Sequence, residues 1–244
     1  TQKPCFRREV AGNTISLHFT LQEPAAYGIH DAPISLGQVS TDPEEISAAA
    51  EMPWPYCIGT TGKSSPAKPA DYDILGRYLS NSLRESAYAL YEEPLSPLTG
   101  TQAQLPVLLS EYRFSNRDDV ETYLKLLDQV PVYFQSILKF EEARSREGLF
   151  MSAQSARRRS GRMPDIPGTG RGELPVFLLP GTAKGAFPFP GRPGRLLPEN
   201  AAAVERSVFP AYQDLMDGIL AAGYREKFRR SVPFPEGENY YKIL

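Results

Sequence analysis

Apolar residues recur at three- and four-residue steps along most of this chain, the spacing that makes amphipathic helices. The pattern runs to about Ala156, is absent for the 42 residues Arg157–Pro198, and resumes at Glu199. The interruption holds eight Pro, eight Gly and seven Arg, with Asp165 and Glu173 as its two acids. Pro removes backbone donors and Gly costs extra chain entropy, so no regular helix is expected across it. The chain therefore divides into a helical region 1–156, an irregular segment 157–198 and a helical continuation 199–244. With no alternation of strand and helix patterns, the fold class is mainly α, a multi-helix array with long Pro-rich loops.

Within the first region, Phe6–Ile29 is ambiguous: Ile15, Leu17, Phe19 and Leu21 alternate like a strand, while the flanking charges suit a short helix. Asp31–Ala70 is broken by Pro33, Pro43, Pro53, Pro55, Pro66 and Pro69 and reads as loop. A short helix over Glu44–Glu51 is expected, capped by Asp42, with Pro43 in its first turn. Asp71–Glu93 carries one apolar stripe, Ile74, Leu75, Tyr78, Leu79, Leu83, Ala87 and Leu90, stopped by Pro94 and Pro97. A second helix covers Thr101–Tyr112 with Leu105, Leu108 and Leu109 inward. Ser115-Asn-Arg-Asp118 starts a third, whose face is Val120, Tyr123, Leu124, Leu127 and Val130. Pro131 should kink or split that element, and Gly148 is placed to end the helix on its far side. Beyond the interruption, Val204, Val208, Tyr212, Leu215, Met216, Ile219 and Leu220 form a further helix ending near Gly223. Tyr240-Tyr241 would open another.

Charge narrows the function classes. Segment 157–198 carries a surplus of six positive charges, so the rest of this −2 chain carries −8. An acidic body argues against nucleic acid, and one basic stretch is a poor substitute. No apolar run approaches the roughly 18 residues that span a bilayer. Nothing assigns a compartment: there is no signal-like segment, and a chain opening at Thr1 is read as processed or truncated. Cys5 and Cys57 are too few for a disulfide framework or a zinc knuckle and read as buried or free thiols.

No complete catalytic constellation is present. Cys57-Ile-Gly-Thr-Thr-Gly-Lys-Ser-Ser65 approaches a phosphate loop, but Cys57 stands where the first Gly belongs. Pro66 and Pro69 then follow, where a helix should begin at once. The glycines are better explained by tight turns, leaving Thr61 and Lys63 as candidate groove-lining residues. His18 and His30 lack the spacing of a zinc pair, and no Gly-x-Ser-x-Gly elbow occurs. The carboxylates of Glu92-Glu93, Asp118-Asp119 and Glu141-Glu142 are read as solvated polar faces. No catalytic or metal-ligating residue is assigned.

Gln102-Ala-Gln-Leu-Pro-Val-Leu-Leu-Ser-Glu-Tyr112, Asp118-Asp-Val-Glu-Thr-Tyr-Leu124 and Gly148-Leu-Phe-Met151 resemble the bacterial family called domain of unknown function 885. Phe6-Arg-Arg-Glu-Val10, Pro24-Ala-Ala-Tyr-Gly-Ile29, the loop Tyr56–Ser65 and Pro210-Ala-Tyr-Gln-Asp-Leu215 fit it as well. The resemblance implies a larger helical, zinc-metallopeptidase-like fold of roughly twice this length. It places the zinc-binding His-Glu-x-x-Pro-Gly-His motif in a C-terminal half, and no position here matches that motif. The expectation is a non-catalytic N-terminal portion without a cofactor of its own. Its partners would be a peptide-like substrate in the full-length protein and its own C-terminal half. A stand-alone helical binding module is the alternative.

Segment 157–198 departs from the resembled pattern, which would continue there as amphipathic helices. With suitable codons, reading it one nucleotide later restores helical periodicity, which points to two compensating frameshifts; a genuine Pro/Gly/Arg-rich linker is the other explanation. On either account the stretch cannot bury enough apolar surface to offset chain entropy. Helices facing it should then expose apolar sides and lower solubility.

Overall fold

The computed structural model describes residues 19, 33–42, 44–46, 69–96, 99–112, 114, 117–149, 193–222 and 236–242. Among them, helix is the recurrent regular element and no strand occurs. The helices are α1 (Pro69–Ser86), α2 (Thr101–Ser110), α3 (Arg117–Asp128), α4 (Val130–Arg146), α5 (Pro193–Ala203), α6 (Phe209–Ala221) and α7 (Gly237–Tyr241). A 3₁₀ turn, Ala89–Tyr91, follows α1, and a wide π turn, Val204–Val208, joins α5 to α6. The mainly α expectation is borne out.

Prolines explain most of the boundaries. Pro69 sits at the start of α1, where its missing N–H costs nothing, so the helix begins two residues earlier than periodicity suggests. Pro131 does split its element: α3 ends at Asp128 and α4 begins at Val130, with Pro131 in its first turn. Pro210 is placed in the same way at the start of α6. Its ring would crowd the carbonyl of Arg206, and the preceding turn widens: the Phe209 N–H bonds to the Val204 carbonyl, five residues back. α5 takes in Pro193–Pro198, so helix resumes six residues before Glu199.

The other end of α4 closes by a Schellman arrangement. Gly148 takes φ 73°, its N–H bonds to the Ser145 carbonyl at 3.1 Å, and the Leu149 N–H bonds to the Arg144 carbonyl at 2.8 Å. Leu149 is buried beneath it. The expected Asp42 cap is also present: its Oδ1 accepts the Glu44 N–H at 2.9 Å. Helix is described there for 44–46, and the remainder of the expected Glu44–Glu51 element lies outside the described residues.

α3, α4, the π turn and α6 meet in one core, centred on Tyr123, Leu126, Leu127, Val130, Phe134, Ile137, Val204, Val208, Leu215 and Ile219. Residues on both sides of the 157–198 interruption thus share one interior. α2 adds Leu105 and Leu109, with Leu108 only half-buried. The irregular segment Pro33–Asp42 crosses α4, donating the Val39 N–H to Ser136 Oγ at 3.0 Å and inserting Leu36. α6 lies close to α4, because Gly218 leaves room for Leu138.

One expected face is misplaced. Ile74, Tyr78 and Leu83 of α1 are 67%, 59% and 40% exposed, although periodicity puts them on an inward stripe. Spacing states which side chains share a face, not what that face meets, and this core is built around α3, α4 and α6. The element is also shorter than expected, ending at Ser86 before the 3₁₀ turn.

Candidate functional site

Two backbone carbonyls are met by distant side chains. Leu90 sits in the 3₁₀ turn, and Glu92 after it is extended, so the helix does not run on to donate to the Leu90 carbonyl. The Leu90 carbonyl accepts instead from Arg144 Nε at 2.9 Å, across 54 residues. In α2 the carbonyl of Gln102 stands four residues before Pro106, which has no N–H, and the hydroxyl of Tyr212 donates to it at 2.9 Å, across 110 residues. The chain turn after Pro94 is closed by the Thr101 N–H on the Pro94 carbonyl at 2.8 Å.

Arg144 is the hub of the first junction. Its Nη1 donates to both carboxylate oxygens of Glu141, at 2.8 and 3.1 Å, one helical turn earlier. Its Nη2 donates to the Leu149 carbonyl at 3.3 Å and lies 3.9 Å from Glu93 Oε1. Arg144 is 2% exposed and Glu141 1%. The reading of Glu141 as a solvated carboxylate is therefore wrong; Glu142 beside it does face solvent. A buried arginine whose donors are aimed at fixed acceptors orders those acceptors. It joins α4, its C-terminal cap and the 3₁₀ turn into one unit.

A tyrosine surface sits on that 3₁₀ turn. Tyr88 and Tyr91 pack edge to face with centroids 5.5 Å apart, and Tyr240 of α7 stacks on Tyr91 at 4.7 Å and 29°, and against Tyr88 at 5.7 Å. Burial, followed by the charge of Glu236 and the neighbouring Tyr88, pushes the Tyr91 hydroxyl up. Burial and then Glu85 push the Glu92 carboxyl up. A helix does occur at Tyr240-Tyr241, but these residues end it rather than open it: α7 begins at Gly237.

A second polar junction joins α3 to the π turn. Asp128 accepts from Arg206 Nη2 at 2.7 and 3.0 Å and from Ser207 Oγ at 2.5 Å. Partial burial acts to raise its carboxyl, but the hydrogen bonds from Ser207 and Arg206 and the Arg206 charge outweigh it and hold it below the ordinary range.

Thr61 and Lys63, with the loop Cys57–Ser65 around them, lie outside the described residues, as do His18, His30 and Cys5. Among the described residues no three His, Cys, Asp or Glu side chains converge to hold a metal ion. The sequence resemblance places the zinc-binding motif in a C-terminal half, and no step is routed through a metal here. Among them, too, no helix is long and apolar enough to cross a membrane. What the sequence did not reveal is the tie from Arg144 to the Leu90 carbonyl and the seating of Tyr240 of α7 on Tyr88 and Tyr91.

No curated protein and no solved structure matches the chain. The family described as "Bacterial protein of unknown function (DUF885)" matches it over residues 48–244, so the chain belongs to that family.

Proposed function

We propose that this polypeptide is a non-catalytic, scaffolding portion of a zinc-dependent, peptidase-like hydrolase. Its role is to build one wall of a groove for a peptide-like substrate, with Thr61 and Lys63 as the candidate lining residues. The reactive centre, carrying the His-Glu-x-x-Pro-Gly-His motif, would come from a C-terminal half that packs against it. One observation carries the scaffolding role. Among the described residues, the two buried charged side chains, Glu141 and Arg144, are turned on the fold's own groups. A zinc hydrolase instead needs ligands, a general base and a metal-bound water converging in one place.

The test compares the purified chain alone with the chain mixed with a polypeptide bearing that zinc motif, in a zinc-binding and peptide-cleavage assay. Cleavage that appears only in the mixture is the expected result. Stoichiometric zinc binding and cleavage by the chain alone would overturn the proposal.

A second reading, a helical binding module without catalysis, draws on the core shared by residues from both sides of the 157–198 interruption. It predicts no cleavage in either sample, together with a cooperatively folded monomer.

A further inference from the structure

α7 is five residues long, too short to persist as an isolated helix. It begins at Glu236 with φ 52° and ψ 18°, a left-handed conformation that a residue bearing a Cβ adopts only under constraint. No side-chain cap closes its N-terminus, and its Lys242–Glu238 ion pair, 2.9 Å long, is solvent-exposed and weak. Tyr241 is 76% exposed. Tyr240 seats α7 on the rest of the molecule by stacking on the rings of Tyr91 and Tyr88. That platform, by contrast, is fixed: its 3₁₀ turn is tied to the buried Arg144 through the Leu90 carbonyl.

We propose that α7 is a strap, docked on the Tyr88–Tyr91 platform by Tyr240, which lifts without disturbing the core. A rigid seat and a strained, marginal helix held by an aromatic stack have very different opening free energies. Lifting the strap bares a tyrosine surface beside Glu92 and Glu93.

Hydrogen exchange on the full chain tests this, read at the amides of Asn239, Tyr240 and Lys242, which bond within the strap. In the parent protein they are expected to be protected, though less than amides of α3, α4 and α6. Tyr91→Ala should speed their exchange by about tenfold and leave the core amides unchanged, while Tyr91→Phe retains protection. Tyr240→Ala, at the outer ring of the stack, should reproduce the effect if Tyr91→Ala weakens the turn itself. Unprotected strap amides in the parent, strap exchange indifferent to both alanine variants, or strap amides that open only together with the core would each overturn the proposal.

Discussion

Arg144 Nε lies 2.9 Å from the carbonyl oxygen of Leu90, in the middle of the 3₁₀ turn Ala89–Tyr91. A second tie links Tyr212 to the Gln102 carbonyl, left open in α2 opposite Pro106. In both places a backbone carbonyl accepts from a side chain of a separate helix, which makes a long-range tie.

The Tyr212 tie predicts a particular non-additivity. Tyr212→Phe strands a buried carbonyl and should cost about 1–3 kcal/mol. Pro106→Ala supplies a local N–H to the same oxygen, so in its background Tyr212→Phe should cost distinctly less. Urea denaturation of the four proteins of this cycle measures the coupling. Equal costs in both backgrounds would show that Pro106 is unrelated to the Tyr212 contact.

The Arg144–Glu141 pair is expected to be costly to break from one side. Glu141→Ala leaves a buried guanidinium uncompensated and should destabilise by about 3–5 kcal/mol. Combining it with Arg144→Met removes the stranded charge and should recover part of that loss, as read from denaturation midpoints.

Two glycines should respond differently to the same substitution. A Cβ on Gly100 would strike the backbone of Ser96 and the Gln102 side chain, and the backbone there cannot give way. A Cβ on Gly218 would meet the flexible end of Leu138 at 2.6 Å, which can rotate aside. Gly218→Ala is expected to cost about 1 kcal/mol and to be relieved by Leu138→Val, whereas Gly100→Ala should cost more, within the roughly 1–3 kcal/mol or above typical of overpacking. Thermal unfolding of the two alanine variants and of the Gly218→Ala/Leu138→Val pair ranks them.

Asp128 sets an acid-side prediction. Its folded pKa lies below the unfolded value, so its contribution is fully present above about pH 4 and is lost as pH falls through the folded value. Asp128→Asn should therefore lower stability at neutral pH and flatten the stability curve below about pH 4. Parallel curves for variant and parent would remove Asp128 from the acid response.

Tyrosines set the alkaline side. Burial, then the Asp119 charge, pushes Tyr112 up to about 12, and burial raises Tyr123 and Tyr212 as well. These hydroxyls stay neutral in the fold but ionise on unfolding, so the stability they confer is complete below about pH 10 and is lost as pH rises toward their folded values. Spectrophotometric titration should show a late, unfolding-linked group of tyrosines, and Tyr123→Phe should shrink it.

Local chemistry made much of the architecture legible. Pro131 dividing α3 from α4, Gly148 closing α4 and Asp42 capping residues 44–46 each act within a turn or two, so spacing alone reveals them. The faces of α3 and α6 were readable because their apolar side chains recur with the helical period. Family membership was legible for a related reason, in stretches such as Gln102–Tyr112, whose residues are fixed by helix and core together.

What neighbours a face could only be settled by the assembled chain. Ile74, Tyr78 and Leu83 form as regular a stripe as the residues of α6, yet they point outward. Glu141 looks like its solvated neighbour Glu142, yet it is buried because Arg144 bends over it. The amino-acid order determined which groups would be apolar, capped or deprived of a hydrogen bond. Tertiary structure decided which remote side chain met each need, because desolvation and pairing depend on contacts between residues 54 and 110 positions apart, a separation that no local pattern encodes.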